Sequence, residues 1–171
     1  MKARRPGELI QIDHMTVTKH NVCKKEFRAW DPVTKVIVAD VSSNATSAAA
    51  KFLKKVVREM PFAVKSIQVE GRSEFMKSFE SECMKLKIPL FVLPPSRPQY
   101  NGGVERSNRI FREEFYARSD LQAESLGTFR AELKHAVDKY NSYRPHFSFN
   151  GLTPFEYTNH ILAAPLQSHF L

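Results

Sequence analysis

The spacing of hydrophobic and polar positions changes several times along the chain, and each change marks an element. Residues 8–13 (Glu-Leu-Ile-Gln-Ile-Asp) alternate apolar and polar side chains and run into Met15, Thr16 and Val17, a strand pattern. A polar turn is expected near His20 to Lys25. Two more strands follow at residues 26–30 and 35–41, joined by Asp31-Pro32-Val33-Thr34, a hairpin connection with proline at a favoured turn position. The period then becomes helical. Ala48, Phe52, Val56 and Met60 recur every four residues, Ser43 or Asn44 supplies an N-cap, and Pro61 stops the run. Lys51, Lys54, Lys55 and Arg58 lie on or near the outer face, the ordinary solvated side of a surface helix.

Residues 63–69 read as a fourth strand that delivers Glu70 to its C-terminal end. Ser73 is expected to cap a second helix with Met76, Phe79, Cys83 and Leu86 as its buried stripe. Residues 88–93 form a short apolar strand with Pro89 near its start, and residues 94–103 have no period and read as a loop. A third helix is predicted from about Val104 to Arg118 and a fourth from Ser125 to Tyr143, with Phe129, Leu133, Ala136, Val137 and Tyr140 apolar. The tail from Arg144 onward reads as irregular. This order predicts an α/β protein, a mixed five-stranded sheet with helices packed on its faces. The expected organisation is a basic N-terminal extension (residues 1–7), one core domain (residues 8–158) and a C-terminal tail (residues 159–171).

Composition adds a partner class. With 171 residues the chain can bury a core without disulfide help. No apolar run approaches the roughly 20 residues that cross a membrane, and no signal-type stretch follows the basic Met1 to Pro6 segment, so a cytosolic location is expected. Cys23 and Cys83 read as structural or incidental thiols. His14, His20 and Cys23 have no second Cys/His pair nearby to complete a zinc site. A net charge of +8 and a pI near 9.6 favour a polyanion, most commonly nucleic acid.

The acids give the chemistry. Asp13 sits inside an otherwise apolar strand, where a carboxylate is costly unless paired or bound to a metal. Glu70 ends the fourth strand, and Glu105 lies in the first turn of the third helix, just past a Gly-rich loop. If the first and fourth strands are neighbours, Asp13 and Glu70 meet at one end of the sheet and the loop folds Glu105 over them. Three carboxylates without imidazole suit Mg²⁺ rather than Zn²⁺. Two such ions about 4 Å apart activate a nucleophile and stabilise a leaving oxygen in phosphoryl displacement. Simpler roles exist for two of the acids: Glu70 beside a helix start and Glu105 in a first turn each complement a helix dipole. Along the third helix Glu105, Asn108, Arg109 and Arg112 fall in one stripe beside an apolar stripe of Val104, Phe111 and Phe115. Cations there could contact phosphates, and Asn101-Gly102-Gly103 gives the preceding loop freedom to close. Asn141 and Arg144-Pro145-His146 are expected to cap the fourth helix rather than touch substrate.

Four segments carry a resemblance. They are Gln11-Ile12-Asp13-His14, residues 67–75 (Ile-Gln-Val-Glu-Gly-Arg-Ser-Glu-Phe), residues 98–106 (Pro-Gln-Tyr-Asn-Gly-Gly-Val-Glu-Arg) and residues 140–146 (Tyr-Asn-Ser-Tyr-Arg-Pro-His). In this order, and with Thr153-Pro154-Phe155-Glu156-Tyr157 near the end, the chain resembles the catalytic core of insertion-sequence transposases of the retroviral-integrase type. The resemblance implies a ribonuclease-H-like fold with helices on both faces of the sheet, and a polynucleotidyl transferase that frees a 3′-hydroxyl at the end of a mobile DNA element and joins it to target DNA. It implies Asp13, Glu70 and Glu105 as catalytic residues holding two Mg²⁺ or Mn²⁺ ions, with Asp13 bridging both. Arg97, Asn101, Arg106, Asn108, Arg109 and Arg112 are the expected DNA contacts. Partners would be element ends and target DNA, gripped by a homodimer or larger assembly in a bacterial cytoplasm. A ribonuclease H-type nuclease would share the fold, but the Asn101–Arg106 and Tyr140–His146 elements speak against it.

Two features depart from the pattern. The family normally has aspartate where this chain has Glu70, and a small or flexible residue where it has Arg72. Glutamate reaches about 1.5 Å further than aspartate, and octahedral Mg²⁺ tolerates little displacement of its ligands. Arg72 stands where it could pair with Glu70 in place of a metal. A catalytically impaired, DNA-binding remnant is therefore the alternative expectation. Such transposases usually carry an N-terminal helix-turn-helix region as well, and nothing before residue 8 could form one. The sequence thus reads as an excised core, a split reading frame or a remnant.

Overall fold

The computed structural model describes residues 3–19, 22–43, 45–71, 73–94, 102–117, 121 and 124–163. Three antiparallel strands, β1 (Ile10–Lys19), β2 (Val22–Trp30) and β3 (Ile37–Ser42), form one side of a sheet. On the other side of β1, the strands β4 (Ile67–Glu70) and β5 (Leu90–Leu93) continue in parallel, giving the order β3-β2-β1-β4-β5. This is the mixed five-stranded sheet expected from the sequence.

Two strands differ in extent. β2 begins at Val22, inside the stretch expected to be a polar turn, because Lys24 and Lys25 pair with Val17 and Thr16 of β1. Strand pairing there overrides a polar composition. β4 is shorter than expected, since the backbone at Lys65 donates to Gly7 O and Ser66 O accepts from Ile10. Those bonds tie the residues before β4 to the N-terminal segment.

Alternation along β1 sends Ile10 and Ile12 to one face of the sheet and Met15 and Val17 to the other, and each face has its own apolar cluster. Helix α1 (Ala45–Glu59) covers the first face with the expected stripe of Ala48, Phe52 and Val56, continued by Met60. Helix α2 (Ser78–Lys85) packs beside α1. It does not start at Ser73. A 3₁₀ turn (Ser73–Phe75) comes first, and Lys77 adopts a positive φ of 51° before the helix begins. The shifted phase buries Phe75, Phe79 and Cys83 and leaves Met76 and Leu86 exposed, which corrects half of the expected stripe.

The second face carries α3 (Gly102–Phe111) and α4 (Leu126–Tyr143), so helices cover both faces. Ser125 caps α4, its hydroxyl accepting from the Thr128 N–H at 3.0 Å. Helix α3 widens at its end into a π turn (Arg112–Tyr116), closed by the Ala117 N–H donating to Arg112 O at 3.1 Å. The tail is less irregular than expected: a fifth helix, α5 (Pro154–Ala163), ends the described chain. Its start is a capping box. The Thr153 N–H donates to the Glu156 carboxylate at 2.8 Å, and the Glu156 N–H donates to the Thr153 hydroxyl at 3.3 Å.

Polar side chains fasten the second helical layer to the sheet. Arg28 and Glu26, both fully buried on β2, form an ion pair. Arg28 also donates to Ser107 O of α3 at 2.8 Å, and its guanidinium lies 3.7 Å from the centre of the Phe111 ring. The Tyr116 hydroxyl, from the π turn, donates to the other oxygen of Glu26. Burial pushes the Glu26 carboxyl above its ordinary range, against the pull of Arg28 and Tyr116. Asn141 makes the matching bond from α4. Its amide accepts from the Ile37 N–H at 3.0 Å and donates to Ile37 O at 2.9 Å, pairing the edge strand β3 as a neighbouring strand would. Asn141 thus caps the sheet edge rather than the helix.

Removing one member of the buried pair leaves a charge uncompensated. Arg28→Met should lower unfolding stability by about 3–5 kcal/mol, and Glu26→Leu with Arg28→Met should lose markedly less. Urea unfolding midpoints distinguish them, and equal losses would show that the pair is not the fastening. A pH effect follows from Arg144, which grips Glu114 with two N–H donors at 2.6 and 3.3 Å and holds that carboxyl below its ordinary value. Because the folded value is the lower one, this stabilisation is present above the ordinary carboxylate range and fades as pH falls through the folded value. The pair is largely exposed, so its contribution is about 0.2–1 kcal/mol. Thermal melts of Arg144→Gln between about pH 6 and pH 3 should therefore show a slightly shallower acid decline than the parent.

Candidate active-site cleft

Parallel pairing of β1 with β4 sets the first two acids side by side. Ile10, Gln11 and Ile12 pair with Ile67, Gln68 and Val69, and Asp13 and Glu70 are the residues that follow the last pair on the two strands. Helix α3 then brings Glu105 from the opposite wall. All three line one cleft of about 690 Å³, together with Lys25, Arg109 and Arg112. The condition read from the sequence, that the first and fourth strands are neighbours, is met, and Glu105 lines the same cleft as the two strand acids.

The carboxylates have different surroundings. Asp13 is buried, and its two oxygens accept from the His14 N–H and from the Asn108 side-chain amide, each at 2.8 Å. Glu70 is half-buried at the strand end, and Glu105 is exposed in the first turn of α3. Among the described residues no three His, Cys, Asp or Glu side chains stand close enough together to hold a metal ion. The oxygen donors have the right chemistry for a hard divalent cation. They share a cleft without being gathered into a ligand cluster.

The stripe expected along α3 lines the cleft: Glu105, Asn108, Arg109 and Arg112 all face it. Val104, Ser107, Asn108 and Phe111 are the buried residues of the helix. Asn108 is thus the buried member of the stripe. It points inward and reaches Asp13 while also lining the cleft. Arg106, Arg109 and Arg112 are exposed and line the cleft, with Arg109 only 3.9 Å from the exposed Glu113. Arg97, Asn101 and the departure at Arg72 lie outside the described residues.

Three features were not anticipated. Gly103 approaches the Trp30 ring so closely that a Cβ would lie 2.0 Å from it. Close packing, rather than backbone freedom, requires glycine there and sets the start of α3 against β2. Lys25 and His14 converge on Glu74, at 3.3 and 3.1 Å, beside the cleft. Burial works to raise the Glu74 carboxyl, but its own backbone N–H, His14 and Lys25 outweigh it and hold it below its ordinary value. Phe75 and Phe27 pack against the His14 ring with centroids 5.7 and 5.9 Å away. The sequence signal for this cluster was the Ser73-Glu74-Phe75 turn directly after Glu70.

The architecture, a five-stranded mixed sheet with helices on both faces, one acid within β1 and another at the end of β4, is that of the ribonuclease-H-like class. Residues 86–154 match the model of a family described as integrase core domain. The fold superposes on a chain of the simian T-cell lymphotropic virus intasome in complex with PP2A regulatory subunit B56 gamma, with a TM-score of 0.78 at 17% identity, covering 95% of this chain and 56% of that one. It superposes on the BIV integrase catalytic core (TM-score 0.70, 21% identity, 91% and 96% covered) and on the HTLV-2 integrase catalytic core in complex with magnesium (0.70, 16%, 88% and 95%). At these identities the likeness to solved structures is one of fold. The chain spans little more than half of the intasome protein but nearly the whole of the isolated cores. A search of curated proteins finds no match. The fold is that of integrase catalytic cores, and residues 86–154 carry the match to the integrase core domain model.

Gly103→Ala should displace the start of α3, and with it Glu105, because the Trp30 ring cannot yield 2 Å within a packed core. A loss of about 1–3 kcal/mol in urea unfolding is expected. Unchanged stability would show that the Trp30 contact does not fix the helix.

Proposed function

We propose that this chain is the DNA-cleaving and strand-transferring core of a transposase, a metal-dependent polynucleotidyl transferase. One observation carries the reading: Asp13, Glu70 and Glu105, from three separate elements, face one cleft walled by Lys25, Arg109 and Arg112. Acids for a divalent cation and bases for phosphates in the same cleft suit phosphodiester chemistry. When bound, Mg²⁺ or Mn²⁺ would supply Lewis acidity toward the reacting phosphate. Asp13, Glu70 and Glu105 are the residues that would hold it. Asn108 keeps the Asp13 carboxylate turned toward the cleft, and Arg109 and Arg112 fix the phosphate backbone beside it. Two element ends must be held together for transfer, so the working form is a dimer or larger assembly on DNA, in the bacterial cytoplasm.

A second reading is favoured by a specific observation. The acids share a cleft but are not clustered, and the longer Glu70 stands where an aspartate is usual. A chain that binds DNA with an impaired metal site fits both facts. Strand-transfer assays in Mn²⁺, using a duplex with a free 3′-hydroxyl and a plasmid target, separate the two. An active parent whose joining falls about a hundredfold or more in Asp13→Asn and Glu105→Gln supports the transferase. An inert parent that joins strands only as Glu70→Asp with Arg72→Gly supports the impaired form. Full activity in Asp13→Asn would remove the proposed site altogether.

A further inference from the structure

A second groove lies across α3 from the cleft. It has a volume of about 590 Å³ and runs between the outer side of α3, its π turn and the C-terminal half of α4. Its floor is aromatic: Phe111, Phe115 and Tyr140 are buried, with Phe111 and Tyr140 ring centroids 5.9 Å apart. One wall is Tyr143, a residue 77% exposed at the C-terminal end of α4. Around the rim stand Lys139 and Arg144, the latter held in place by its two bonds to Glu114.

This lining has a recognisable chemistry. A flat exposed phenol beside an aromatic floor offers a face for stacking, and a rim with more cations than acids suits a phosphate-bearing ligand. Such a pairing of aromatic platform with basic edge is how proteins hold unpaired nucleotides. The position is equally informative. Cleft and groove share α3 as their common wall, since Glu105, Arg109 and Arg112 face the cleft while Ile110 and Glu114 face the groove. A helix is about 10 Å across, roughly three steps of a DNA strand at about 3.4 Å each. A strand seated in the cleft therefore reaches the groove within a few nucleotides.

We infer that this groove is a binding site for an unpaired nucleotide of the DNA strand in the neighbouring cleft, its base stacked on Tyr143 and its phosphate held by Lys139. The inference rests on the DNA-binding reading of the cleft and adds a preference that the cleft does not supply. Frayed or single-stranded ends would be bound better than fully paired duplex. A base displaced from the helix would keep the strand in register while its phosphodiester lies among the acids.

The test uses the full chain with a blunt duplex and the same duplex bearing a short unpaired tail labelled with 2-aminopurine. The parent should bind the tailed duplex about tenfold more tightly, in line with one base–aromatic stack, and quench the label. Tyr143→Ala should erase that preference and the quenching while leaving blunt-duplex affinity where it was. Tyr143→Phe should retain both. Equal affinity for the two duplexes in the parent, or a preference that survives Tyr143→Ala, overturns the groove site while leaving DNA binding by the cleft intact. Absence of binding to either duplex overturns both readings. A dimer in sedimentation that Tyr143→Ala converts to monomer, without any tail preference, assigns the groove to a second protein copy and likewise overturns the inference.

Discussion

The arrangement depends most on one buried ion pair, Arg28 with Glu26, in the middle of β2. Two charges taken out of water are costly unless most of their remaining donors and acceptors are matched. Here the partners come from α3 and its π turn: Ser107 O takes a guanidinium N–H, the Phe111 ring takes its face, and the Tyr116 hydroxyl meets the other carboxylate oxygen, while Arg28 Nε is left without a partner. Any rotation or sliding of α3 would leave at least one of these groups buried and unmatched. Apolar packing by Val104, Phe111 and Phe115 gives the helix its affinity for the sheet. The polar fastening gives it one position.

That position decides what the helix can offer. With Ser107 and Phe111 held over Arg28, Asn108 is directed at Asp13, and Glu105 with Arg109 and Arg112 is left along the cleft. The π turn matters for the same reason. By adding a residue to the last turn it brings Tyr116 as well as Phe115 toward the sheet, so the fastening extends past the regular end of α3. At the other end, Gly103 lets the first turn settle on Trp30. Three contacts along about four turns thus locate a single exposed carboxylate, Glu105.

Much of this was legible because it follows from period and position. The alternation of residues 8–17, the four-residue recurrence from Ala48 to Met60, and a carboxylate inside an apolar strand each leave one economical interpretation. What was missed needed partners distant in sequence. Helical spacing put Asn108 on the stripe with Glu105, Arg109 and Arg112, but its burial makes sense only with Asp13, 95 positions away. Asn141 suggested a helix cap, while its amide is satisfied by Ile37, 104 positions away. Helix α5 is a different case. Its capping box, Thr153 with Glu156 around Pro154, is entirely local and was present in the sequence. The surrounding proline, histidine and phenylalanine residues obscured it.

The same division explains why the fold and the chemistry can part company at Glu70. Ile67 and Val69 of β4 are fully buried and belong to the core, so their apolar area stabilises the sheet directly. Glu70 follows them at the strand end, half-buried, where one more methylene can be accommodated by solvent. Glu70 itself is not part of the apolar cluster that Ile67 and Val69 join. A metal site does depend on whether that residue is aspartate or glutamate, because ligand positions there matter to about an ångström. The packing that secures β1, β4 and α3 therefore exerts no control over the length of the second acid. The apolar packing that builds the sheet and the hydrogen bonds that orient Asp13 are made by residues other than Glu70.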